Sequence, residues 1–286
     1  MRSFSGYRAA LVGGSICAAL CALPTSVMAQ VSSINSDIVN SRVFNDFPSA
    51  SFTSVNAYPG LVRFTESNVN SSTGSGFANR DVWYFSNNSG ASAYQFQNND
   101  FFDSSFSVNL TGGAAGKDIE AGYLFSNPTG SFGGDLQVVI TGSGAVFQAG
   151  GPSYYPFSPA AGGFPGAGGS VANYTEGTTY TMGMNYVLDP NTGMPAFQYS
   201  VNGQFAASSP GDTYFDLAPG ATIASTPPSI LGGYFQIGGD STAGDPPVNG
   251  SVTFSNISIT PAAIPEPASL ALIGMGIPFL FRRRRI

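Results

Sequence analysis

The chain is 286 residues long, carries ten Lys and Arg against sixteen Asp and Glu for a net charge of −6, and contains two cysteines and no histidine. Without histidine, Ser-His-Asp and Cys-His catalysis, His-ligated zinc and the usual general base near neutral pH are excluded. Six of the basic residues sit at the ends, so Arg42, Arg63, Arg80 and Lys117 face fifteen acids before Glu266, a balance of about −11 that disfavours a nucleic-acid partner.

Residues 1–29 read as a secretory signal. Arg2 and Arg8 supply the positive start, Ala9–Leu23 the apolar run, and Val27-Met28-Ala29 a small-residue cleavage site, with cleavage between Ala29 and Gln30. The apolar run is shorter than the ~20 residues of a membrane span. Cys17 and Cys21 would leave with it, so neither a disulfide framework nor a reactive thiol is expected in the mature chain.

Residues 30–260 read as one β-sandwich body. Alternating runs predict strands at Phe52–Tyr58, Leu61–Thr65, Asp81–Ser86, Ala93–Gln97, Phe106–Leu110 and Ile119–Phe125, then at Leu136–Ile140, Tyr180–Tyr186, Phe197–Val201, Tyr214–Leu217, Tyr234–Ile237 and Val252–Ile259. Between Tyr180 and Tyr186, Met182 and Met184 share a face with both tyrosines. With 37 Gly and 20 Pro, long helices would be interrupted repeatedly, and none is predicted in the body.

Turn chemistry supports the strands. Asn202-Gly203 marks a two-residue hairpin, which would set Phe205 opposite Ser200 on the face away from Phe197 and Tyr199 unless a bulge or longer loop corrects the register. Asp189–Gly193 is a second turn. In SVTFSNISI the apolar phase shifts near Ser255-Asn256, as a β-bulge would shift it. Thr65–Gly76 and Gly142–Ser170 read as loops. The second is Gly/Pro-rich, and its Tyr154, Tyr155, Phe157 and Phe164 either line a ligand site or pack as an Ω-like flap.

The fold class expected is all-β: two antiparallel sheets packed face to face, jelly-roll-like. From Lys117 onward, the order KDIEAGYLFSN, DLQVVI, YTMGMNYVL, AFQYSVNG and VTFSNISI resembles the later half of a concanavalin-like jelly roll.

Acid–base work would fall on carboxylates. Asp118-x-Glu120 puts two acids on one side of a strand, and carboxylate pairs hydrolyse glycosides, but a solvated strand face is the plainer reading. No catalytic residue, cofactor or metal is therefore assigned. Asp240–Asp245 could give a Ca2+ ion some oxygens, yet it lacks the EF-hand spacing and terminal Glu and reads as a polar turn.

Residues 261–286 form a linker and a tail. Pro265-Glu266-Pro267, the apolar Ala268–Phe281 and Arg282, Arg283, Arg284 and Arg285 follow in that order. As a helix the apolar stretch reaches only about 21 Å, less than the ~30 Å hydrocarbon core, and the arginines favour the cytoplasmic side. This tail resembles the PEP-CTERM sorting signal of exopolysaccharide-producing Gram-negative-type bacteria. The resemblance implies Sec export, a transient hold in the inner membrane, removal of the tail by the membrane protease exosortase, and delivery to the cell surface or matrix. The role expected there is non-catalytic, structural or adhesive, and associated with exopolysaccharide. The alternative is a secreted carbohydrate-active enzyme, a glycosidase or lyase, on the same scaffold.

Overall fold

The computed structural model describes residues 31–70, 76–112, 119–127, 135–149, 155–156, 174–209, 211–238 and 246–263. Among the described residues fifteen strands, numbered in chain order, form two antiparallel sheets. The seven-stranded sheet runs β1 (Ser36–Asn45), β4 (Ala78–Ser86), β14 (Ile230–Gly238), β6 (Ile119–Ser126), β7 (Leu136–Thr141), β8 (Val146–Ala149), β9 (Tyr155–Pro156). The eight-stranded sheet runs β12 (Gln204–Phe205), β11 (Pro195–Val201), β10 (Thr179–Leu188), β5 (Phe102–Gly112), β15 (Val248–Pro261), β3 (Leu61–Val69), β2 (Ser51–Ala57), with β13 (Phe215–Asp216) also paired to β11. Among the described residues the one helical piece is a 3-10 turn at Val31–Ser33. The architecture is the expected jelly-roll-like sandwich.

Alternation places the core. On β4, Trp83 and Phe85 point inward; on β5, Phe106, Val108 and Leu110; on β6, Tyr123 and Phe125; on β15, Val252 and Phe254. Trp83 makes edge contacts with Phe106 and Phe254, each at 5.8 Å between centroids, and Phe106 stacks on Tyr123 at 4.0 Å. These four rings come from four strands of both sheets, so they stitch the layers together with contacts worth roughly 0.5–1.5 kcal/mol each beyond burial. Gly233 on β14 leaves the room they need, because a Cβ there would overlap the Trp83 indole.

Met182, Met184 and Tyr186 are buried as the alternation predicts, with Tyr180 packed at their margin. The Asn202-Gly203 turn has both residues at positive φ, 50° and 76°. Its strict register survives: Ser200 pairs with Phe205, and Phe205 stands 46% exposed without a correcting bulge. The bulge on β15 is present between Ser255 and Ser258, with Asn256 at φ 52°.

Three expectations need correction. Ala93–Gln97 is not a strand; Phe96 makes one isolated bridge to Ser229, and the segment is held instead by Asp100, whose carboxylate accepts from the Gln97 amide and the Tyr94 hydroxyl. The loop expected from Thr65 begins later, since β3 continues to Val69 on its pairing with β15 and β2. The span 142–170 contains β8 and β9, because β7 offers β8 a partner that the local composition does not advertise.

Candidate functional site

The outer face of the seven-stranded sheet carries the residues that point away from Trp83 and Phe85. Glu120 on β6, Gln236 on β14 and Arg80 on β4 are register partners across three adjacent strands, so their side chains form one row. The Arg80 Nε donates to Gln236 Oε1 at 2.7 Å. Its guanidinium lies over the rings of Phe44, at 4.7 Å, and Tyr234, at 5.1 Å. The Tyr234 hydroxyl donates to Glu120 Oε1 at 3.3 Å. Beside the row, Val82, Tyr84, Leu124, Val139 and Tyr234 form a second apolar cluster, separate from the interior core.

Burial sets the electrostatics. It raises the Glu120 carboxyl above its ordinary value, against the opposing pull of the Arg80 charge and the Tyr234 hydrogen bond. Burial, then the Glu120 charge, holds the Tyr234 phenol well above its usual range. Tyr84 is pushed up to about 12 by burial and by the nearby Asp135 charge. Glu120 is thus not the solvated strand residue expected from sequence: it is half-buried and engaged with a phenol. Chemically the row holds a guanidinium fork, a largely buried amide and a carboxyl along one strip, a set able to exchange hydrogen bonds with hydroxyl groups and, through Arg80, to pair with an anion.

A second polar group lies inside the sandwich. Glu66, Asn79 and Asp81 point into the core and are fully buried. Arg42 donates to both Glu66 oxygens, at 3.1 and 3.2 Å, and its backbone N–H donates to Asp81 Oδ1 at 2.8 Å. Asn79 exchanges two hydrogen bonds with the Phe47 backbone. Asp81 Oδ2 has no partner, and burial with the Glu66 charge pushes its carboxyl up to about 7. Closed off from solvent, this cluster can organise the interior but cannot meet a polymer.

Among the described residues no three His, Cys, Asp or Glu come together as a metal would require. Of the residues singled out from sequence, Glu120 alone enters the row. Asp118, Ala29, Gln30, Tyr154, Phe157, Phe164, Asp240–Asp245, Pro265, Glu266, Pro267 and Arg282–Arg285 lie outside the described residues. Tyr155 sits in β9 at the sheet edge, paired with Gln148; its side chain is likewise outside the description. Sequence reasoning missed Arg80, Tyr234 and Gln236, although each shares the parity opposite to an inward aromatic on its own strand.

Residues 263–285 match the family described as the PEP-CTERM protein-sorting motif. The chain carries a PEP-CTERM sorting motif. It is thereby an exported protein of the exosortase-sorted kind, bound for the cell surface or the extracellular space. No curated protein matches the sequence. Among solved structures, the chain is similar to the alginate lyase AlgAT5 of polysaccharide lyase family 7, with a TM-score of 0.44 and 14% identity over 74% of this chain and 82% of that one. It is also similar to an alginate lyase from Corynebacterium sp., at 0.42 and 13% over 73% and 80%. The carbohydrate recognition domain of Emp46p follows at 0.37 and 9% over 76% and 90%. None of these likenesses assigns an activity here, so the chemistry rests on this chain's own side chains.

Proposed function

We propose that this PEP-CTERM protein is a non-catalytic component of the cell surface or matrix, whose sandwich body contacts exopolysaccharide through the Glu120–Gln236–Arg80 row. The sorting motif at 263–285 carries the reading. In it, residues 1–29 direct export, the short apolar tail pauses in the inner membrane, and exosortase removes the tail as the body 30–260 is passed outward. The row supports a sugar ligand because its donors and acceptors are fixed to one another, so little side-chain entropy is lost on binding.

One observation favours the enzymatic alternative: Glu120 is a carboxyl with a raised proton affinity, hydrogen-bonded to a phenol. Hydrolysis would need a second carboxyl at a set separation. The test is a glycan array with the secreted protein, followed by prolonged incubation of each bound polysaccharide and assay for new reducing or unsaturated ends. Binding without turnover, weakened at least tenfold by Arg80→Ala, is the expected result. New chain ends that disappear with Glu120→Gln would replace the proposal with the enzyme. Absence of polysaccharide binding would remove the sugar-contact role.

A further inference from the structure

Two open sheets present four edges, and unpaired strand edges recruit other strands unless something blunts them. Three of the four are blunted. β9 is two residues long, and β11 is flanked by the two-residue β12 and β13. β1 is longer, but its register breaks between Asn40 and Phe44, where Arg42 sits at φ 53°. β2 has none of these devices. Its seven residues, Ser51–Ala57, keep an unbroken register with β3 from Ser51 opposite Ser67 to Ala57 opposite Leu61. They include no charge, no proline and no glycine. All but Phe52 are exposed, Val55 to 50%, and among the described residues no element lies beyond them.

We propose that β2 is a docking edge for β2 of a second copy of this chain, paired antiparallel about a twofold axis through Ser54. That arrangement would join two eight-stranded sheets into one. In it Thr53 meets Val55 of the partner subunit, a β-branched pair of the kind that stabilises sheets, and Phe52 meets Asn56 of the partner subunit. The isologous geometry needs a strand that tolerates itself, and SFTSVNA does so because no ion is brought against its like.

Charge points to a copy at this edge in particular. The body carries a large acidic excess, so two copies repel over most orientations. β2 has no acid, and the one acid of the adjacent β3, Glu66, is turned into the core and paired with Arg42. On the outer face of the sheet, β3 sets Arg63 opposite Val55, and the acid that touches the edge strand, Asp37, is buried against Asn56. Asn56 donates to Asp37 at 2.9 Å, which ties the docking strand to β1 of the other sheet and holds it in place before any partner arrives. A seven-residue edge contact buries less than the ~1,200 Å² of a standard interface, so the pairing is weak and appears as copies crowd on a surface.

Sedimentation velocity of the secreted protein across a hundredfold concentration range should show reversible dimers. Ser54→Cys, at the axis, should form an intermolecular disulfide under mild oxidation several-fold more than Ala57→Cys, which the register places about 20 Å from its own copy. Cys17 and Cys21, if retained, contribute equally to both variants. The Thr53→Lys/Val55→Lys pair should weaken dimerisation about tenfold, since it sets lysine against lysine twice, while monomer melting falls slightly because the lysine at 55 also faces Arg63 on β3. Equal crosslinking of the two cysteine variants, a monomer at every concentration, or a dimer indifferent to the lysines would overturn the proposal. So would a monomer that instead captures a foreign extended peptide at β2.

Discussion

Asp81 carries a charge that this fold tolerates poorly. It is fully buried, its Oδ2 has no partner, and its carboxyl is raised from 3.8 to about 7. The folded state therefore holds a proton that the unfolded chain releases near pH 4. By linkage, the stability tied to that proton is complete below the unfolded value and is lost as pH rises through about 7. At 1.36 kcal/mol per unit, the loss between those limits is roughly 4 kcal/mol. The groups acting on Asp81 are Arg42 and Glu66, and Glu66 is itself raised by burial, so its titration acts in the same direction. Asp81→Asn keeps an oxygen for the Arg42 N–H and removes the charge. At pH 8 it should stabilise the protein by 2–4 kcal/mol, a melting rise on the order of 10 °C for a body of this size, while at pH 4 the two proteins should melt together. Urea unfolding of both, followed through Trp83 fluorescence from pH 4 to 8.5, measures the difference. A variant less stable than the parent at pH 8, or a parent whose stability does not fall between pH 5 and 8, would refute the reasoning.

Two further perturbations probe the interior and the turns. Gly233→Ala drives a methyl into the Trp83 indole and toward Phe254, and should cost about 1–3 kcal/mol and shift Trp83 emission, both read from a urea titration. Asn202→Ala removes the side-chain amide that lets asparagine adopt φ 50° more readily than alanine, and deletes the 2.9 Å bond from the Thr181 N–H to Asn202 Oδ1. It should cost about 1–3 kcal/mol, measured by the same titration, and Asn202→Gly should recover part of the loss.

Much of the sandwich was legible because period-2 alternation reports burial directly. Met182, Met184 and Tyr186, the Asn202-Gly203 turn and the Asn256 bulge were all readable from side-chain size and φ preference. β1 was not, and its residues say why. In SDIVNSRVFN the bulge at Arg42 breaks the alternation midway, so neither half is long enough to register as a strand. Ala93–Gln97 failed the other way: it alternates correctly, but strand pairing is decided by a distant partner, and Ser229 offers only one bridge.

The polar residues were legible in a subtler sense. Val62, Phe64 and Glu66 occupy alternate positions of β3, as Asn79, Asp81, Trp83 and Phe85 do on β4, so parity alone turns all three polar side chains inward. Composition argues the opposite, because carboxylates belong in water. Parity prevails because moving either strand by one residue would expose Phe64 or Trp83 and bury Arg63 or Arg80 in their place. Burying two acids is the lesser cost when Arg42 is folded back to meet one and a proton can neutralise the other. The same parity puts Arg80 on the outer face with Glu120 and Tyr234. The register that strains the interior is therefore also what assembles the outer-face row, and a register shift that relieved Asp81 would dismantle the site.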